Sequence, residues 1–172
     1  YFARPCQYID LSQERYCNKR YWTSHRFAKD VLSSYNQALE QIKTKFNPTG
    51  FHLVGFSGGA AIVALLAAQR SDVLSLRTIA GNLDHVALNR ARKVSPLRGS
   101  LNPISVAHKL KATPQIHYSG GNDEVVPGWV SQAFVRAVGR GKCVNARTIA
   151  SASHLEGWLA VWKTLNREIP VC

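Results

Sequence analysis

Short apolar runs of strand length alternate along the chain with longer segments in which apolar residues recur every three or four positions. Over 24–46, Phe27, Val31, Tyr35, Ala38 and Ile42 keep helical spacing and mark an amphipathic helix, ended by Asn47, Pro48 and Gly50. Residues 51–56, FHLVGF, form the nearly continuous apolar run expected of a strand buried on both faces of a parallel sheet, with His52 in a structural role. The next segment is apolar on most sides, and Ala60, Ala61, Ala64, Ala67 and Ala68 are small enough for close packing on strands, so it reads as a core helix. The pattern then predicts strands over 75–80, 114–118 and 144–149 and helices over 127–138 and 155–165. Between them, 81–111 is long, basic and broken, with one helix beginning at Pro103 behind Asn102 as its N-cap. Residues 1–3 read as the tail of a strand stopped by Pro5, and the polar stretch to Tyr21 as a loop. Strand–helix alternation predicts one α/β domain over 1–172, a mostly parallel sheet with helices on both faces.

Three motifs fall at predicted strand ends. G-F-S-G-G, with Gly55 and Gly59 around Ser57, lies between a strand and a helix, the context of a nucleophile elbow. That bend exposes the Ser57 hydroxyl and leaves the Gly58 N–H among the unpaired donors of a helix N-terminus, where it can face an oxyanion. S-G-G-N-D-E-V-V-P follows the 114–118 strand and carries Asp123; S-A-S-H-L-E-G-W follows the 144–149 strand and carries His154. A serine hydroxyl needs a base, and the base needs an acid that fixes its tautomer. Catalytic groups of open parallel sheets gather at the strands' carboxyl ends, so Ser57, Asp123 and His154 can converge. Asp84, in G-N-L-D-H, is a rival acid, and His85 and His117 are rival bases.

These motifs resemble the nucleophile, acid and histidine motifs of the α/β-hydrolase superfamily, and the resemblance covers most of the chain. A-R-P-C-Q-Y, R-Y-W-T-S-H-R-F and A-G-N-L-D-H are further similar to bacterial secreted or lipoprotein α/β-hydrolases of poorly defined substrate. The resemblance implies Ser57 as nucleophile, His154 as general base and acid, Asp123 as its orienting partner and Gly58 as an oxyanion donor. The expected activity is hydrolysis of a small acyl substrate, an ester first, with thioesters and amides undistinguished by the residues. The alternative is a non-catalytic hydrolase-like module that binds a ligand or partner.

Composition narrows the setting. Four cysteines, Cys6, Cys17, Cys143 and Cys172, lack metal-ligand spacing, and no cofactor or metal is implied. Of their three possible pairings, Cys6 with Cys17 and Cys143 with Cys172 is favoured because each bond ties down a loose segment. Disulfides imply an oxidising compartment, so the expected location is secreted or periplasmic, with a membrane-anchored lipoprotein as the longer form. Twenty-two Lys and Arg against ten Asp and Glu give a net charge of +12, but the basic residues are scattered and form no nucleic-acid motif. No apolar run reaches membrane-spanning length.

One expectation concerns completeness. In the superfamily, the nucleophile strand lies beside the third strand, and the fourth lies beyond that. Only one strand-like segment, residues 1–3, precedes the nucleophile strand here, and A-R-P-C-Q-Y is similar to the end of the fourth. The chain is therefore expected to lack N-terminal strands, and an upstream segment or second chain to complete the sheet.

Overall fold

The computed structural model describes residues 2–11, 13–139 and 141–172. After a 3-10 turn at Lys19–Trp22 come α1 (Lys29–Phe46), β1 (Phe51–Phe56), α2 (Gly58–Ala67), β2 (Val73–Ile79) and α3 (His85–Ala91). A second 3-10 segment, Pro103–Leu110, leads to β3 (Gln115–Gly120), α4 (Trp129–Val138), β4 (Val144–Ile149) and α5 (Trp158–Arg167). The four strands form a sheet in the order β1-β2-β3-β4, with every neighbouring pair parallel.

Alternation within the strands sends side chains to two cores. Leu53, Leu76 and Val144 join the larger one with residues of α1, α2, the Pro103–Leu110 segment and α4. Ile116 and Tyr118 join the smaller one under α5, with Trp158 and Leu165. All six residues of β3 are buried because it has a strand on each side, whereas β1 and β4 stand at the edges. The expectation that the 51–56 strand is buried on both faces is therefore corrected: His52 and Phe56 are exposed.

Phe56 pairs with Ile79, Ile79 with Tyr118, and Tyr118 with Arg147, so the carboxyl ends of all four strands lie level. The loops carrying Ser57, Asn82, Asp123 and His154 leave from this one edge.

Several expected bounds shift. The helix predicted over 24–46 begins only at Lys29, and Phe27 caps the core from a turn instead. The 81–111 stretch holds an additional helix, α3, started by Asp84, whose carboxylate accepts the Ala87 N–H at 3.1 Å. Residues 1–3 do not supply the expected strand: Tyr1 lies outside the described residues, and Phe2 and Ala3 pair with no ladder. The Ala3 carbonyl instead accepts the Tyr35 hydroxyl, and the Phe2 ring meets Tyr35 edge-on.

Both local disulfides are present, Cys6–Cys17 and Cys143–Cys172, closing loops of 11 and 29 residues in sequence separation. The second ties the C-terminal residue to the start of β4. Arg77 secures α5 from below: its buried guanidinium donates through Nη1 to the carbonyls of Leu165, Asn166 and Glu168, satisfying acceptors that a helix end leaves free. Arg77→Met, which keeps much of the apolar stem, is expected to cost about 1–3 kcal/mol in urea unfolding by stranding those carbonyls. An unchanged midpoint would show that α5 is held by its apolar face alone. No helix is long and apolar enough to cross a membrane among the described residues.

Candidate active site

Ser57 sits between β1 and α2 at φ 51° and ψ −116°, a left-handed backbone for a residue with a side chain. Such strain costs on the order of 1–3 kcal/mol and persists only where neighbours fix it. Here the Ser57 N–H donates to Ile79 O at 2.9 Å, and Ser57 O accepts the N–H groups of Ala60 and Asn82, both at 3.1 Å. The bend is thus pinned to α2 and to the loop after β2.

The two elbow glycines differ. A Cβ at Gly55 would lie 2.5 Å from the Gly59 carbonyl oxygen and 2.6 Å from a Val63 methyl, so strand and helix approach too closely for any side chain. At Gly59 a Cβ would meet nothing within 4 Å. Gly55→Ala is expected to destabilise by roughly 1–3 kcal/mol through overpacking, and Gly59→Ala to change stability by no more than about 0.5 kcal/mol. Thermal or urea melts of the two variants measure this; equal losses would mean that both glycines serve the bend.

Asp123 Oδ1 accepts the N–H groups of Val125 and Val126, both at 2.8 Å, which orients the carboxylate inside its own turn. Asp123 Oδ2 lies 2.9 Å from His154 Nδ1, and His154 Nε2 lies 3.0 Å from Ser57 Oγ. The Asp123 carboxylate is fully buried and the His154 side chain is 13% exposed, so this chain of contacts is nearly shielded from water. A carboxylate can only accept, so Nδ1 donates to it and Nε2 is left to accept the serine O–H.

Close backbone approach brings the two loops together. A side chain at Gly120 would collide with Ala152 O at 2.5 Å, and one at Gly121 with Ala150 O at 2.7 Å. Gly157, at φ +85°, turns the chain into α5. The indole N–H of Trp158, first residue of that helix, donates to the carbonyls of Ser153 and His154 at 3.0 and 3.1 Å. The Phe56 ring stands 5.3 Å from the imidazole. Motif reading does not single out Trp158 or Phe56; the G-W after S-H-L-E was the available signal for the first.

The rival residues go elsewhere. Asp84 caps α3 and accepts the Asn102 amide at 2.8 Å. His85 is buried beneath Phe27, and burial pushes its pKa down. His117, fully buried between Thr78 Oγ1 and Gln115 Oε1, has its pKa pushed down to about 3 by desolvation and stays neutral. His52 bonds Ser75 Oγ across β1 and β2, the structural part expected of it.

A cavity of about 740 Å³ runs along the open edge of β1 and ends at Ser57. Phe27, Val54, Phe56, Ile62, Val63 and Leu66 give it apolar walls, while Ser57, Gly58, Asn82 and His154 line its upper end. No group of three or more His, Cys, Asp or Glu is placed to hold a metal ion among the described residues.

The elbow, its acid loop and all of the parallel sheet but Ile149 fall within a match to a protein-family model, Serine hydrolase (FSH1), over residues 5–148. The chain belongs to the FSH1 serine hydrolase family. It carries the α/β-hydrolase fold, as expected from the motifs. Solved structures with this fold include an esterase from Pyrococcus furiosus, at 14% identity and a TM-score of 0.64 over 80% of this chain and 59% of that one. An α/β serine hydrolase homologue from Coxiella burnetii shares 24% identity, with a TM-score of 0.60 over 78% of this chain and 56% of its own. A puromycin-hydrolysing peptidase from Mycobacterium tuberculosis shares 22%, with a TM-score of 0.60 over 72% of this chain and 22% of its own. The FSH1 chain described here thus spans less than two thirds of each of those structures. The comparison with curated proteins gave no match.

Proposed function

We propose that this serine hydrolase cleaves esters by acyl transfer on Ser57. The supporting observation is the unbroken hydrogen-bonded path Ser57 Oγ to His154 to buried Asp123. His154 Nε2 takes the serine proton as Oγ attacks the carbonyl; the imidazolium is stabilised by Asp123 and then protonates the leaving alkoxide. Water, deprotonated by His154, releases the acid. The Gly58 N–H opens α2, where first-turn donors have no intrahelical acceptor, and serves the developing oxyanion. Esters are put ahead of amides in this reading because an alkoxide is a better leaving group than an amide anion. Thioesters share the same chemistry.

The wider setting is part of the proposal. Two disulfides favour an oxidising compartment, hence a secreted or periplasmic protein. A further parallel strand, from an upstream segment or a second chain, fills the cavity along β1.

Treatment with a fluorophosphonate probe followed by peptide mapping tests the central claim. An adduct on Ser57, absent from Ser57→Ala, is expected. If a control hydrolase labels and Ser57 does not, the second reading takes over, a hydrolase fold retained for binding alone.

A further inference from the structure

We propose that Asn82 takes part in the reaction, its side-chain N–H donating to the leaving-group oxygen as the tetrahedral intermediate breaks down. This rests on the reading of Ser57 as the nucleophile and adds one contact on the leaving-group side.

The strand order sets the place. Ser57, Asn82, Asp123 and His154 follow β1, β2, β3 and β4 in turn, and the carboxyl ends of those strands lie level. Asn82 therefore leaves the sheet next to Ser57, on the side away from the open edge of β1, with the two strands about 5 Å apart. His154 starts from β4 and still brings Nε2 to 3.0 Å from Ser57 Oγ, so its loop reaches over the ends of β3 and β2. The Asn82 backbone is tied to the nucleophile directly, its N–H donating to Ser57 O at 3.1 Å. Its side chain shares one end of the cavity with Ser57, Gly58 and His154.

The loop is built to hold one geometry. Ala80 sits at φ 48°, a second left-handed residue with a side chain beside Ser57, and its N–H donates to Tyr118 O at 2.8 Å. Leu83 is fully buried, its N–H donates to Gly81 O at 2.9 Å, and its carbonyl accepts the Ile104 N–H at 2.9 Å. Between Gly81 and Leu83, the half-buried Asn82 keeps Oδ1 buried with no hydrogen-bond partner among the described residues. A buried acceptor without a donor destabilises a fold, and packing alone would favour an apolar side chain here. Only Oδ1 of the two amide atoms is so placed, which leaves the N–H groups as the open end, where Ser57 reacts. The reverse orientation would bury two N–H donors, the less tolerated arrangement.

The Gly58 N–H serves the carbonyl oxygen, and the departing oxygen must lie near His154 Nε2, from which it takes its proton. As the bond between the carbonyl carbon and the leaving oxygen breaks, the electron pair goes to that oxygen and the proton comes from the imidazolium. The Asn82 N–H stabilises the charge gathering there and keeps its own proton throughout. An alkoxide gains far more from this contact than a nitrophenolate, which already spreads its charge over the ring.

Asn82→Leu, similar in size but without a donor, tests this across the butyrate esters of ethanol, trifluoroethanol, phenol and p-nitrophenol. With the acyl group fixed, kcat/KM reports the steps up to departure of the alcohol. The ethyl ester is expected to lose roughly 10- to 100-fold more than the p-nitrophenyl ester, the strength of one hydrogen bond to a charged oxygen. Fluorophosphonate labelling of Ser57, which expels fluoride, should slow no more than the p-nitrophenyl ester does. Asn82→Ala, read in the same way, covers the case of a leucine that does not fit. Equal losses across the four esters and the probe overturn the inference, since Asn82 would then only hold Ser57 in place. So does the absence of any loss. An unsubstituted chain that neither labels nor turns over any ester fails the hydrolase reading itself, which keeps the two failures apart.

Discussion

Ser57→Ala, His154→Ala and the double variant are expected to lose turnover by a similar factor, on the order of 10⁴–10⁶, rather than by the product of two losses. The reason is that, in the mechanism proposed, serine and imidazole act as one unit. Without the imidazole, the hydroxyl 3.0 Å away keeps its proton; without the hydroxyl, the base has nothing to activate. Asp123→Asn should cost about 10⁴ by a different route. Val125 and Val126 N–H groups hold Oδ1 as an acceptor, so an asparagine there keeps its carbonyl towards them and turns its NH₂ towards His154 Nδ1. The imidazole must then carry its proton on Nε2, where it can no longer accept from Ser57. Single-turnover kinetics on an activated ester, with circular dichroism to show that each variant folds, measure all four proteins. Multiplicative losses, or a His154→Ala variant that retains its rate, would remove the triad from the mechanism.

Much of this arrangement was legible because it depends on local chemistry. The turn after β1 needs glycine at 55 and exposes a serine, and parallel strands send their following loops to one edge, so three distant motifs could be placed together. The same logic misjudged Gly59, whose missing side chain answers to no contact, because spacing does not tell which glycine a helix presses against. It also overlooked α3, seven residues started by a single Asp84 cap and too short for a clear period. Asp84 looked like a rival acid because the sequence shows a carboxylate after a strand but not the Ala87 N–H that occupies it. Trp158 escaped notice since its work is done by one indole N–H on two backbone carbonyls four and five residues back, a turn that residue types do not announce.

Completing the sheet is expected to raise turnover of the 172-residue chain by roughly a hundred- to a thousand-fold, the worth of one oxyanion donor. The argument begins at β1. Phe51 N–H donates to Asp72 O and Ser57 N–H to Ile79 O, so odd-numbered backbone groups of this strand face β2. By the alternation of a parallel ladder, the N–H and C=O groups of His52, Val54 and Phe56 face the opposite way, into the cavity. Phe2 and Arg4 line the same cavity as these β1 residues, and it is the slot that such a strand would enter. An unpaired strand edge is costly for a sheet and invites association. A strand laid in that slot pairs the free groups, and the turn following it would emerge beside Ser57, across from the Gly58 N–H. Amide exchange reads the first half: His52, Val54 and Phe56 should exchange fast in the 172-residue chain, Leu53 and Gly55 slowly. In a longer natural product, or in a complex with the strand-bearing partner, all five should be slow and the activated ester should turn over faster by the stated factor. Slow exchange at His52, Val54 and Phe56 in the 172-residue chain alone, with full activity, would mean that these residues already make a closed site.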